Sequence, residues 1–297
     1  KCFATIYIFN MKGLTIRKWI QSLEEKGIYS FSMQELKEVF DHLKEKTILN
    51  TLGTLKKQGK LLPLWNGIYS IVRFVDIGNA TDNKAIREEG KPYFYIETLM
   101  QHLKREYYVA LLSAVEVHLS PKEALQANEI TVITSLPPLR DSFRGQSKIR
   151  YLVKKDIKNL REIGVKRKTL PFSIGERTLR VASLELTAVD LLLYEKEIGG
   201  IQKAVEVIQR IKNHLSWQEL PTEVIFSTPV SIFQRLGYVL SFIKEEELAE
   251  RLKERVLSTG KKFRRTLLKT DVPEKGGEPF CPIWKIVVNI SLQNDTL

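Results

Sequence analysis

From residue 14 to about residue 72 the apolar positions recur first at helical and then at strand spacing. Ile16, Trp19, Ile20 and Leu23 fall on one stripe of a helix that Gly27 closes. Two short amphipathic segments follow, MQELKEVFDHL (33–43) and KTILNTLGTLKKQGK (46–60). The join between them, around Lys44 and Glu45, is tight enough to predict a helix-turn-helix. In the second segment Ile48, Leu52 and Leu55 make the apolar stripe, with Leu49 beside it. Gly59 stands where a C′ glycine ends a helix. KLLPLW (60–65), Asn66-Gly67 and IYSIV (68–72) then predict a hairpin, because Asn-Gly supplies the positive φ values of a type I′ turn. Three helices and a hairpin in this order predict a winged helix-turn-helix domain over residues 12–75.

The pattern changes beyond it. Residues 75–92 are polar, with two glycines and a proline, and 76–92 read as a linker. Residues 94–118 are apolar enough for one or two helices, and SPKEA (120–124) marks a fresh start. EITVITS (129–135) is rich in β-branched residues and reads as a strand, with SKIRYLVKK (147–155) as its partner. LPFSIGERTLRVASL (170–184) predicts a hairpin around Gly175-Glu176. TAVDLLLYEKEIGGIQKAVEVIQRIKN (187–213) predicts two helices interrupted at Gly199-Gly200, and 216–258 is helical again. STGKKFRRTLL (258–268) reads as a basic turn, and WKIVVNISL (284–292) as a closing strand. The fold class expected is α+β (mixed α/β), an N-terminal winged helix followed by a larger α/β domain with a mixed sheet over 93–297.

The polar face of 46–60 carries the first candidate chemistry. Thr47, Asn50, Thr51 and Thr54 recur at i, i+3, i+4 and i+7 without a carboxylate among them. Short uncharged hydrogen-bonding side chains suit base edges, and Lys46, Lys56, Lys57 and Lys60 around them suit phosphates. Asn66 in the wing turn completes the set expected to touch double-stranded DNA. A small helical unit that binds only protein would carry a similar pattern.

Charge adds a second region. The chain has 297 residues and a formal net charge of +12, which points to an anionic partner. Residues 12–73 hold eleven Lys/Arg against six Asp/Glu, whereas 140–180 hold thirteen against four. Arg144, Lys148, Arg150, Lys154 and Lys155, with Lys158, Lys166, Arg167 and Lys168, thus make a run with three readings: a solvated face, a second nucleic-acid surface, or a dock for an acidic partner.

Other chemistry is sparse. Cys2 and Cys281, far apart, form neither a disulfide framework nor a zinc spacing, and a reducing, cytoplasmic setting is expected. His42, His102, His118 and His214 are scattered, so no metal and no cofactor is expected. No apolar run reaches membrane-spanning length. The opening KCFATIYIFN reads either as an edge strand or as an extension ahead of Met11. Gly199-Gly200 lacks the Gly-Lys-Ser/Thr ending of a phosphate loop, and Ser113 and Ser183 sit in no G-x-S-x-G frame. Asp190 is placed to support a helix start capped by Thr187. A metal-dependent nuclease needs an Asp followed, after a strand, by Asp/Glu-x-Lys. Glu129 alone on the first strand and no carboxylate in 147–155 argue against that fusion.

Several short stretches, taken in order, resemble the antitoxin half of abortive-infection type IV toxin–antitoxin systems, the AbiEi-like regulators. They are Asn66-Gly67-Ile68-Tyr69 at the wing, ALLSAVEVHLSPKEA (110–124), and Thr187-Ala188-x-Asp190-Leu191 followed by Gly199-Gly200-Ile201. VVNISL (287–292) completes the series. Together they span about 14–292. Relatives often carry an arginine beside the wing glycine, where this chain has Trp65-Asn66. The resemblance implies a transcriptional autorepressor that binds inverted repeats in its operator. It also implies a C-terminal domain that counteracts a nucleotidyltransferase-type toxin, without catalysis of its own. The alternative is a winged-helix regulator whose second domain binds a ligand or nucleic acid and has no toxin partner.

Overall fold

The computed structural model describes residues 14–26, 28–65, 67–72, 91–144, 146–155, 164–171 and 176–293. The opening decapeptide and nearly all of the expected linker at 76–92 lie outside the described residues. The protein is mixed α/β, with mixed sheets.

The N-terminal unit runs α1 (Ile16–Glu25), β1 (Ser30–Ser32), α2 (Met33–Val39), α3 (Glu45–Lys57), β2 (Leu61–Trp65) and β3 (Ile68–Ile71). The Thr15 side chain caps α1 by accepting from the Lys18 N–H. A capping box opens α2: the Glu35 N–H donates to Ser32 Oγ at 3.1 Å, and the Ser32 N–H donates to Glu35 Oε2 at 2.6 Å. The first helix of the expected helix-turn-helix thus stops at Val39 rather than reaching Leu43, and residues 40–44 form the turn. Gly59, at φ +71°, sits just past the end of α3, as its position predicted.

The three strands form an antiparallel sheet in the order β1-β3-β2, with a bulge between Pro63 and Trp65. Gly67 supplies φ +78° at the hairpin turn. Trp19 stands edge-on to Phe31 and Phe40, with ring centroids 5.2 and 6.1 Å apart, over a core that includes Leu36, Ile48, Leu52 and Leu55.

After a 3₁₀ turn (Pro92–Phe94) come α4 (Ile96–His102), β4 (Tyr107–Val109), α5 (Leu111–Leu119), α6 (Pro121–Gln126), β5 (Glu129–Thr134), β6 (Ser142–Arg144), β7 (Ser147–Val153), β8 (Val165–Pro171) and β9 (Glu176–Ala182). Their sheet has the order β6-β7-β5-β4-β9-β8. Pairing is antiparallel for β6·β7, β5·β4 and β9·β8, and parallel for β7·β5 and β4·β9. The strand pair expected from 129–135 and 147–155 is the parallel β5·β7 pair. The hairpin expected around residues 175–176 is β8·β9. Helices α7 (Leu184–Leu193) and α8 (Ile201–Ile211) meet at Gly199-Gly200, as expected. Then α9 (Thr222–Ser227), α10 (Val230–Phe242) and α11 (Glu246–Leu257) fill the 216–258 region.

Two elements differ from the sequence reading. The run at 94–118 contains β4, a fully buried strand near the middle of the sheet, where only helix was expected. Its boundaries are made by Lys104 and Leu111, both in the left-handed region at φ +53° without being glycine. The closing strand reduces to Ile286–Val287 (β12), held between Thr266–Leu267 (β10) and Phe280–Cys281 (β11).

The N-terminal three-stranded sheet is seated on the second region. Ser30 Oγ lies 2.8 Å from Thr98 Oγ1 of α4, and Leu64 and Ile68 belong to the larger apolar core.

Candidate nucleic-acid interface

Helix α3 is set by its own stripe. Ile48, Leu52 and Leu55 are buried in the N-terminal core, so the opposite face is left to solvent. Lys46, Thr47, Asn50, Thr54, Lys56 and Lys57 are exposed and Thr51 is half-buried. The structure therefore brings seven of the nine expected DNA-contacting residues onto one helix. Lys60 is exposed just beyond its C-terminus, and Asn66 lies outside the described residues.

The polar groups on this face are not equivalent. The Thr51 hydroxyl donates to the Thr47 carbonyl at 2.9 Å, and the Thr54 hydroxyl to the Asn50 carbonyl at 3.0 Å. Both hydroxyls thus spend their hydrogens on the helix backbone and present acceptor lone pairs outward. The Asn50 amide has no hydrogen bond to the described residues, so its donors and acceptor are open to a base edge. Lys56 Nζ sits 5.0 Å from the centre of the Tyr69 ring, which ties it to the wing. Burial raises the Tyr69 hydroxyl above the ordinary tyrosine range. Glu45, the acidic residue in the first turn of α3, is paired with Lys37 at 2.7 Å. The residue pattern assigns no role to Gly53 and sets Leu49 beside the buried stripe, and the structure corrects both. Gly53 lies on the outward line of Lys46, Asn50 and Lys57, and Leu49 beside it leaves 48% of its surface exposed. The spacing 46, 50, 53, 57 carried that signal.

The basic run at 140–180 is placed quite differently. Lys154 was expected on a surface patch. Its side chain is only 11% exposed, with Nζ 3.0 Å from Oδ1 of the fully buried Asp190. The Tyr108 hydroxyl donates to the other Asp190 oxygen at 2.8 Å, and the Tyr194 hydroxyl donates to the Val153 carbonyl at 2.9 Å. Burial, then the charge of Asp190, pushes both tyrosine hydroxyls up. Asp190 lies well inside α7, whose start is capped by Ser183 and not by Thr187, so its role is to hold Lys154 and Tyr108 rather than to meet a helix start.

Lys148 pairs with Glu129 at 3.4 Å. Arg150 pairs with Glu197 at 2.7 Å and donates to the Glu197 carbonyl at 3.0 Å. Lys166 pairs with Glu219 at 2.6 Å, and Arg180 with Glu97 and Glu106. Of the five patch candidates Lys155 is exposed, and the side chain of Arg144 lies outside the described residues.

A cleft of about 360 Å³ opens beside Arg150, with Ser113, Glu116, Asn128, Glu129 and Glu197 on its wall. Burial raises the Glu116 carboxyl, an effect that Arg210 counters. No group of three or more His, Cys, Asp or Glu is placed to hold a metal ion among the described residues. No described helix is long and apolar enough to cross a membrane.

No family model matches the chain, and no curated protein does. Among solved structures it is similar to the crystal structure of RV2827C protein from Mycobacterium tuberculosis. The TM-score is 0.56 at 14% sequence identity, over 91% of this chain and 90% of that one. At that identity the likeness concerns the fold alone.

Proposed function

We propose that this chain is a DNA-binding transcriptional autorepressor and antitoxin of the cytoplasm, with α3 as the helix that enters the major groove of its operator. The observation that carries the DNA half is the outward face of α3. Asn50 is open to a base edge, Lys46 and Lys57 have no ion pair among the described residues, and Glu45, the carboxylate in the first turn of α3, is paired with Lys37. The order helix, strand, helix, helix, strand, strand supports a winged-helix reading. The antitoxin half is supported by the resemblance of 110–124, 187–201 and 287–292 to AbiEi-like regulators. On this reading the second region counteracts a nucleotidyltransferase-type toxin from the same operon, and the chain performs no catalysis.

Two experiments test the halves separately. Anisotropy titrations on the DNA upstream of its own gene and on a scrambled duplex test the first. Preferential binding, reduced on both duplexes by Lys46→Ala, is expected, and equal weak binding that neither duplex nor variant changes removes it. Co-expression with a neighbouring nucleotidyltransferase gene tests the second, where growth arrest that the chain does not relieve removes the antitoxin role. The cleft beside Arg150 favours a second reading, a repressor whose second region senses a small ligand. Absence of any such toxin gene beside a functional operator would select it.

A further inference from the structure

Four outward positions on α3, Lys46, Asn50, Gly53 and Lys57, recur at i, i+4, i+7 and i+11, which is one straight face of a helix. Glycine inside a helix is destabilising relative to alanine, because the unfolded chain has more freedom to lose. Nothing among the described residues demands it at residue 53. Outside its own helix backbone, a Cβ there would meet no described atom within 4 Å, and the backbone is not in the left-handed region. The bare position therefore has no explanation in packing among the described residues. It has one if the helix backbone must come close to something outside.

The neighbours of Gly53 indicate what that is. Leu49, one turn earlier on the same side, is 48% exposed. A single exposed leucine needs no explanation, but here it flanks a position with no side chain and stands beside an amide free to pair. The strip thus offers an apolar contact, a bidentate amide and open backbone in adjacent places, with a lysine at each end that has no ion pair among the described residues. In the major groove thymine presents a 5-methyl group, and adenine presents N7 and the N6 amino group, which asparagine matches with two hydrogen bonds.

Resting on the DNA-binding reading above, we propose that Leu49 and Asn50 read neighbouring A·T pairs. Asn50 pairs with an adenine edge, and Leu49 packs against a thymine methyl. Gly53 removes the side chain that would hold α3 off the bases. Lys46 and Lys57 sit against phosphates at the two ends of the strip and fix its register.

The test uses the full chain and a random-sequence duplex pool carried through rounds of selection. Sites with a shared A·T-containing core are expected. In the selected duplex, replacing thymine by deoxyuridine removes only the methyl group. At one position this should weaken the wild type by about fivefold and leave Leu49→Ala unchanged. Gly53→Ala should raise the urea midpoint while weakening the selected duplex by about tenfold and a scrambled duplex far less.

Equal loss in wild type and Leu49→Ala on methyl removal would overturn the Leu49 contact. Undiminished binding by Gly53→Ala, or convergence on sites without A·T pairs, would overturn the reading of the strip while leaving DNA binding intact. A pool that never enriches, with binding indifferent to Lys46→Glu, would overturn the DNA-binding reading itself.

Discussion

Helix α3 and the segment from 140 to 180 are both basic in sequence, the second more densely, yet their charges meet opposite fates. On α3 the lysines stand on a face whose far side is buried, and Glu45 in its first turn is taken by Lys37. In the downstream segment Lys148, Arg150, Lys154, Lys166 and Arg180 are drawn to carboxylates on other elements: Glu129, Glu197, Asp190, Glu219, Glu97 and Glu106. A local count of charges describes a surface only where the partners are local too. On a helix they are, within a turn or so. In a mixed sheet whose neighbours come from distant parts of the chain, they are not.

The sharpest way to break this comparison is to reverse Lys154. Lys154→Glu sets a second carboxylate against the fully buried Asp190 and removes the cation that offsets it. Breaking a buried pair in this way costs about 3–5 kcal/mol. The variant is expected to be largely unfolded, with a urea midpoint far below that of the wild type. Lys154→Met, which keeps the length of the side chain but leaves Asp190 with only Tyr108, should fall between them. A reversed variant as stable as the wild type would mean that Lys154 is an open surface charge after all, as its sequence neighbours suggested.

The opposite pole of the comparison is Asn50. Asn50→Ala is expected to leave the fold unchanged, because the side chain is exposed and unpaired among the described residues. It should cost about 1–3 kcal/mol in binding to the operator and little on random DNA. Competition titrations with the two duplexes measure the split, and equal losses on both would reduce Asn50 to a spectator. Lys57→Ala should act on both duplexes alike and lower the salt-dependence slope by about one unit. An unchanged slope would place Lys57 away from phosphate.

The same contrast explains what could be read from the sequence. The N-terminal unit was legible because its signals are local: the Ile48, Leu52 and Leu55 stripe, Gly59 past the helix end and Gly67 in the turn. The central strand β4 was not. The turn before it is closed by the Lys104 N–H donating to Gln101 O and the Arg105 N–H to Met100 O, with Lys104 in the left-handed region where glycine is the usual signal. Lys244, at φ +63°, ends α10 in the same way, with the Glu245 N–H reaching Leu240 O. Non-glycine residues in these positions erase the punctuation on which a sequence reading relies.

The partners of Asp190 were illegible for another reason. Tyr108 on β4 and Lys154 just past β7 are 82 and 36 residues away, brought together by strand pairing order. The left-handed lysine can be tested directly. Lys244→Gly should raise stability by up to about 1 kcal/mol by relieving the steric cost of a Cβ there, partly offset by the greater freedom of glycine in the unfolded chain.

The smallest effect separates the two regions most cleanly. Lys148 lies on β7 with its ammonium 3.4 Å from Glu129 and 5.7 Å from the centre of the Phe143 ring. The pair is partly solvated, since Lys148 is 30% and Glu129 48% exposed. Water and the entropy of two long side chains leave such pairs worth less than about 1 kcal/mol. Lys148→Ala is therefore expected to shift the urea midpoint only slightly. It should also leave the salt slope of DNA binding unchanged, because a lysine already facing a carboxylate releases few counterions from a phosphate backbone. Measured beside Lys57→Ala at the same series of salt concentrations, the two variants remove one positive charge each. A drop of about one unit for Lys57 and none for Lys148 would place Lys57 on the phosphate backbone and the Lys148 strand off it. Equal drops for both would mean that the downstream strand also lies along the duplex, with Glu129 displaced on binding.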